Sequence, residues 1–268
     1  LVTHAAKGIK ADFKIAMTGT PVENILLDLW SIIDFCTPGL LGSAKGFNKG
    51  IKSGELTSEV IRDKIEPVFI RRLKSDVAKD LPLKSEHIIR EEMPERQLEM
   101  YNQMIAQLSY LKSHDKLTKP ALLQSIHELR KVSDHPELSN DGLIEDDVDF
   151  NSSAKINIVE TLLNQIRDNS EKVILFTERR KMQYLLKKFC ETRFNISPSI
   201  INGDVPSTAK ENTNIKTRQG LVNEFQSIDG FNIIIMSPIA AGFGLNVVGA
   251  NNVIHYTLPE LVDGLTAA

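Results

Sequence analysis

The chain has 268 residues, 41% hydrophobic and 25% charged, which is enough to bury a sizeable core in more than one compact unit. Its net charge of −3 excludes a protein whose whole surface grips nucleic acid, since non-specific affinity comes from Lys and Arg neutralising phosphates. A local basic groove stays compatible with that charge, whereas no apolar run reaches the roughly 18–20 residues of a membrane span and no signal-like segment opens the chain.

The first element in chain order is a strand-like run, Phe13 to Met17, ending at Thr18-Gly19-Thr20-Pro21. Open α/β sheets gather ligand sites at strand C-terminal ends. There a glycine allows close backbone approach, hydroxyls hydrogen-bond, and a proline such as Pro21 suits the start of a helix. A plain strand-to-helix turn needs the same residues. A helix through Leu26, Leu27, Leu29 and Ile33 follows, stopped by Thr37-Pro38-Gly39. Arg71-Arg72-Leu73-Lys74 closes a further helix beginning near Leu56, where cations suit the negative helix end; a phosphate contact or an inter-domain pair is the other reading.

Pro94 and Pro120 open two long amphipathic helices. The first carries Leu98, Tyr101, Met104, Ile105 and Leu108, and the second Leu122, Leu123, Ile126 and Leu129, ending near His135-Pro136. Residues 140–151 hold the acidic patch Glu145, Asp146, Asp147 and Asp149, lack apolar periodicity, and read as a linker.

From Ser153 the pattern alternates. Ser153 suits the N-cap of a helix with Ile156, Val159, Leu162, Leu163 and Ile166 on one face. Lys172 to Thr177 is a short apolar run of the kind buried on both faces of a sheet. A helix from Arg179 to Phe189, a strand at Pro198 to Ile201, a helix from Arg218 to Phe225, and strands at Phe231 to Met236 and Asn252 to Tyr256 complete the series. Strands and helices alternating at these lengths predict an α/β domain, a parallel sheet covered by helices. Gly242-Phe243-Gly244-Leu245-Asn246 follows the Phe231 to Met236 strand as a glycine-rich turn. Its backbone N–H groups suit an anion, or it serves only as a turn.

Several chemistries are disfavoured. Cys36 and Cys190 have no C-x-x-C spacing and sit among apolar residues, as small buried thiols do, which fits a reducing compartment. His135 and His255 lack partners at metal-ligand spacing, so no metal site is expected. No G-K-[ST], completed G-x-G-x-x-G, G-x-S-x-G or H-E-x-x-H occurs.

Taken in order, the segments resemble the Swi/Snf-type family of helicase-like DNA-dependent ATPases, with compact linkers of bacterial type. Ile15-Ala16-Met17-Thr18-Gly19-Thr20-Pro21-Val22-Glu23-Asn24, continuing to Asp28-Leu29-Trp30-Ser31, is similar to motif III. Ile70 to Val77 and Leu81-Pro82-Leu83-Lys84 resemble the linker between the two motor lobes, and Leu129 to Pro136 the L-R-x-x-x-x-H-P segment. Lys172 to Thr177 resembles motif IV, Ile201-Asn202-Gly203 with Arg218 and Phe225 the stretch after it, and Ser237 to Asn246 motif V.

The resemblance implies two RecA-like lobes that close on ATP and Mg²⁺ and ratchet along double-stranded DNA without reading bases. A DNA-bound protein substrate is a further expected partner. Residues 1–36 would be the tail of the first lobe, 37–150 a helical elaboration with the inter-lobe linker, and 151–268 the second lobe. Thr18, Gly19, Thr20 and Asn24 would couple nucleotide state to DNA. Ser237, Gly242, Gly244, Asn246 and Arg218 would lie at the DNA and nucleotide interface, and Arg71, Arg72 and Lys74 would support lobe geometry or DNA. The location expected is cytoplasmic, or nuclear in a eukaryotic source.

The sequence also departs from the family pattern. The phosphate-binding lysine loop and acidic Mg²⁺ box belong before residue 1, and the stretch from Leu258 to Leu265 holds no arginine where motif VI would place its finger. Such a finger is worth on the order of 10³–10⁵ in rate, so these residues alone are expected to be catalytically silent, with no catalytic residue among them. Ile239 and Ala241 stand where the family often has lysine and glycine. Two other readings remain: a strand-separating helicase, and a scaffold that binds nucleic acid or protein without a motor.

Overall fold

The computed structural model of the protein describes residues 2–22, 25–72, 74–77, 85–114, 117–139, 142, 144, 147–208, 216–242 and 245–258, without the side chains of residues 2, 4, 74 and 75. The chain forms two compact units, residues 1–86 and 87–268.

The first unit is helical: α1 (Val2–Lys7), α2 (Leu26–Cys36), α3 (Ala44–Ser53), α4 (Ser58–Ile65) and α5 (Lys74–Val77). Leu29, Ile33, Leu41, Phe47, Ile61 and Ile65 form its buried centre, with Trp30 packed beside them and its indole N–H donating to the Gly42 carbonyl at 3.0 Å. Thr37-Pro38-Gly39 does stop α2. Gly39 takes φ +84°, which glycine alone adopts without strain, and its N–H donates to Asp34. Ser43 and Thr57 cap α3 and α4 through their side-chain oxygens.

Three expectations fail in this unit. Phe13 to Met17 is not a strand: no partner pairs with it among the described residues, and Phe13, Ile15 and Met17 are 81%, 71% and 94% exposed. An apolar run becomes a strand only where a neighbour takes up its backbone hydrogen bonds. Pro21 does not begin α2, which starts at Leu26 where the Asp28 carboxylate reaches back to the Ile25 N–H. Arg71 and Arg72 do not close a helix, because α4 ends at Ile65 and a 3₁₀ turn, Glu66–Val68, built around Pro67 intervenes. The dipole argument for those cations therefore does not apply.

The second unit opens with a helical hairpin, α6 (Glu95–Ser113) and α7 (Lys119–Asp134), followed by α8 (Ala154–Asp168) and an alternating series. That series is β1 (Lys172–Phe176), α9 (Arg180–Phe194), β2 (Ser199–Ile201), α10 (Arg218–Ser227), β3 (Asn232–Met236), α11 (Pro238–Ala241) and β4 (Asn252–His255). All pairings are parallel, in the order β2-β3-β1-β4, with Ile174 opposite Ile234 and Val253.

The period of two in each strand divides the core into two layers. Val173, Leu175, Ile233 and Ile235 face α8 and α9, meeting Ile156, Val159, Leu163, Met182, Leu185, Leu186 and Phe189. Ile174, Ile234 and Met236 face α10 and α11, meeting Val222, Phe225 and Ala240. A sheet covered on both faces explains why β1 and β3 read as unbroken apolar runs.

Residues 140–151 are not a bare linker where described. Val148 and Phe150 are buried in the α8/α9 layer, and Phe150 meets Phe189 edge-on at 5.4 Å. Two well-placed apolar residues suffice to anchor a segment that has no period to detect. In α6 Gln97 alone is buried and Tyr101, Met104 and Leu108 are half-buried, while Leu98 and Ile105 of the expected face are exposed at 45% and 38%.

Candidate functional site

The C-terminal ends of the strands converge on one edge of the second unit. The ladder continues one residue past β1, β3 and β4: the Thr177 N–H donates to Met236, the Ser237 N–H to Ile201, and the Tyr256 N–H to Phe176. The loops that leave this edge are therefore tied to a rigid base.

Buried side chains fix them further. Gln183 on α9, wholly buried, donates to the Thr177 carbonyl at 2.9 Å and accepts from the Asn202 amide at 3.0 Å. Asn202 then accepts the Asp204 N–H at 2.9 Å, so one chain of hydrogen bonds joins the end of β1 to the loop after β2. Thr257 accepts the Glu178 N–H at 3.3 Å and lies 3.4 Å from the Thr177 hydroxyl. Each buried polar atom left without its partner here would cost roughly 1–3 kcal/mol, which holds the loop shapes.

Arg218, at the start of α10, donates from Nε to the Val205 carbonyl at 2.8 Å and from its terminal nitrogen to the Ala240 carbonyl at 3.0 Å. It thus braces the loop after β2 against α11. Ser237 precedes α11 half-buried, with its hydroxyl unused as a cap. Gly242 is exposed with φ −63°, in ordinary right-handed backbone, so its glycine is not demanded by a left-handed turn. Asn246 is exposed in the connection to β4, while its neighbours Leu245 and Val247 pack on the core. Gly244 lies outside the described residues.

The first unit carries the remaining predicted positions. Thr18, Gly19 and Thr20 are exposed, and the Thr20 N–H donates to the Thr18 hydroxyl at 3.1 Å, a local turn. Arg71 and Arg72 are exposed. Asn24 lies outside the described residues, as does the Lys74 side chain.

A second polar centre sits under the same edge, at the end of α7. The Asp134 carboxylate is 2.7 Å from the Lys155 ammonium and 3.4 Å from Arg179 Nε. Its main-chain carbonyl accepts the Ser153 hydroxyl at 2.8 Å and the Tyr256 hydroxyl at 2.5 Å. Gln97 bonds the Val132 carbonyl at 2.7 Å and the Ala154 N–H at 3.0 Å. Burial pushes the Asp134 carboxyl above its ordinary value despite Lys155, Arg179 and Arg130, and burial likewise raises the Tyr256 phenol. His135 is fully buried, and burial holds it down at about 4; its Nδ1 accepts the Glu137 N–H at 3.1 Å.

Reading the sequence for chemistry passed over Gln97, Gln183 and Tyr256. A signal for both glutamines exists. Gln183 shares a stripe with Leu186 and Cys190, and Gln97 one with Met100, Met104 and Leu108, so each polar residue interrupts an inward face. Cys190 is buried with its thiol pushed up to about 12, the inert environment expected of it.

Residues 1–138 match the SNF2-related domain and residues 154–266 the helicase conserved C-terminal domain. The chain belongs to the SNF2-related family. Its similarity to Zorya protein ZorD of Escherichia coli O139:H28 is 38% identity over 96% of this chain and 24% of that protein. The repair and recombination protein RAD26 of Saccharomyces cerevisiae is 30% identical over 95% of this chain and 25% of its own length. The chain thus spans about a quarter of the length of these curated relatives. Among solved structures, the Sulfolobus solfataricus SWI2/SNF2 ATPase core in complex with dsDNA is 30% identical. The match covers 95% of this chain and 54% of that one, with a TM-score of 0.55. The SNF2 resemblance read from the motifs is borne out, and the parallel sheet with its covering helices is the RecA-like α/β fold of that family.

Proposed function

We propose that this chain is part of an ATP-driven translocase that tracks along double-stranded DNA, working on DNA or on a protein bound to it. The observation that supports this most is the order of the two family domains along the chain, together with loops fixed at the carboxyl edge of the sheet. Those loops offer backbone amides, short hydroxyls and amide side chains, which suit phosphates and carry no base code.

In this reading Ser237, Gly242, Gly244 and Asn246 approach the DNA backbone or the nucleotide, and Arg218 holds their loop in shape. Thr18, Gly19, Thr20 and Asn24 couple nucleotide state to DNA, and Arg71, Arg72 and Lys74 serve the inter-lobe geometry or DNA. The domain division into 1–36, 37–150 and 151–268 belongs to the same proposal.

The chain's own residues do not by themselves fit a Mg²⁺–triphosphate site. No G-K-[ST] run occurs in the sequence, and among the described residues no three carboxylate, histidine or cysteine groups converge. ATP and Mg²⁺ therefore enter the proposal as ligands of a longer protein, and no hydrolytic step is assigned here.

The test is ATP hydrolysis by the full-length protein without DNA, with single strands and with duplex, beside residues 1–268 alone. Stimulation by duplex with a silent 268-residue piece is expected. No hydrolysis by the full-length protein under any condition would overturn the motor and leave a scaffold, and equal stimulation by single strands would favour a strand-separating helicase.

A further inference from the structure

Asp134 is the last residue of α7, and it joins four separate pieces of the second unit. Its carboxylate, only 4% exposed, meets Lys155 from α8 and Arg179 from the loop between β1 and α9. Its carbonyl meets Ser153, the cap of α8, and Tyr256, just past β4. A buried carboxylate between two cations is an expensive way to hold a fold together, since apolar residues of similar volume often do as well. What the ion pairs add over apolar packing is direction. Arg179 also supplies the carbonyl that starts α9, accepting the Gln183 N–H at 3.0 Å, and Gln183 is the residue that ties Thr177 to Asn202.

Resting on the translocase reading, the geometry points to Asp134 as a positioning residue. It fixes Arg179 and, through it, the loop after β1, so that the α6–α7 hairpin and the carboxyl edge of the sheet turn as one body during the motor cycle. Asp134 touches neither nucleotide nor DNA in this role. Losing it leaves binding intact and uncouples binding from turnover.

The experiment uses the full-length protein with Asp134→Asn and, separately, Arg179→Gln. Hydrogen exchange is followed in the peptide spanning Thr177 to Gln183, with β3 as internal reference. Exchange in that peptide should quicken about tenfold in both variants while β3 keeps its protection. In the ATPase assay, kcat with duplex should fall about five- to tenfold, with KM for ATP and duplex affinity within about twofold of wild type. Unchanged exchange at Thr177 to Gln183 overturns the inference whatever the ATPase does. Faster exchange with unchanged kcat overturns it as well, reducing Asp134 to a structural tie. Should Asp134→Asn fail to fold, Arg179→Gln, which leaves the Lys155 pair in place, gives the same two readings. A wild-type protein that duplex does not stimulate refutes the translocase reading instead, and the exchange result still decides whether Asp134 positions the loop.

Discussion

Replacing His135 with Asn should flatten the acid side of the stability profile of the second unit. His135 has no exposed surface, and its Nδ1 is occupied as an acceptor for the Glu137 N–H. The proton of the neutral ring is therefore on Nε2, and a second proton could enter only at Nδ1, breaking that bond. Burial opposes the charge, the Glu137 and Asp149 carboxylates favour it more weakly, and the imidazole is left at about 4. Unfolded, it titrates near 6.5. Between those values the unfolded chain binds a proton that the folded chain refuses, so stability is intact above about pH 6.5 and drains away as the pH falls towards 4.

The full shift corresponds to about 3 kcal/mol, of which about 2 kcal/mol is lost between pH 7 and pH 4.5. Asp134 acts with opposite sign: its carboxyl is raised, so its contribution is present at low pH and lost as the pH rises through its folded value. The comparison must therefore be wild type against His135→Asn rather than one pH against another. Asn places an oxygen where Nδ1 was, keeps an acceptor for Glu137, and cannot titrate.

The single tryptophan, Trp30, reports on the first unit, so its fluorescence is the wrong probe. Protection of the β3 amides in a urea series at the two pH values reports on the second. The difference in stability between pH 7 and pH 4.5 should shrink by about 2 kcal/mol in the variant. An equal pH dependence in both proteins would show that His135 is protonated in the folded state and that the acceptor geometry has been misread.

Three further substitutions probe other layers of the structure. Tyr256→Phe removes the hydroxyl that donates to the Asp134 carbonyl and should cost about 1–2 kcal/mol in the same urea series, since Ser153 still satisfies that carbonyl; a neutral result would mean the hydroxyl bond is not formed. Leu163→Ala, at a wholly buried position between α8 and the sheet, should cost about 2–5 kcal/mol, and a loss under about 1 kcal/mol would refute the described packing. Gly54→Ala, at φ +78° in the C-cap of α3, should destabilise the first unit by roughly 1 kcal/mol, seen in Trp30 fluorescence and absent from β3 exchange.

How far the sequence was legible depends on where each element's partners lie. β1 and β3 could be read because each carries its own evidence, an apolar run that only a doubly covered sheet accommodates. Ser153 could be read as a cap because capping is local, and its oxygen does accept the Ile156 N–H. Phe13 to Met17 misled because a strand is a property of two segments, and the sequence of one does not say whether the other is at hand. Arg71 and Arg72 would end a helix only if it ran on through Pro67, and the restriction that a proline places on the residue before it stops α4 at Ile65. The loops at the carboxyl edge were placed by their position after apolar strands, whereas the residues that hold them were not. Gln183 lies six residues from the carbonyl it binds and nineteen from Asn202, and no local pattern carries that pairing.

The hairpin shows most plainly how polar and apolar forces divide the work. Along α6 and α7 the only buried side chains are Gln97, Val132 and Asp134, all at the base where the hairpin meets α8 and the sheet. Further out, Ile105, Leu122, Leu123 and Ile126 remain exposed, so burial contributes little there. An element attached through a large apolar face tolerates small rotations, because that attraction has no direction. One attached through Gln97, Asp134 and the Tyr256 hydroxyl does not, since each bond weakens steeply away from its preferred angle. The base of the hairpin is thus built to transmit its orientation to the loop after β1, and the outer turns contribute length without fixing it.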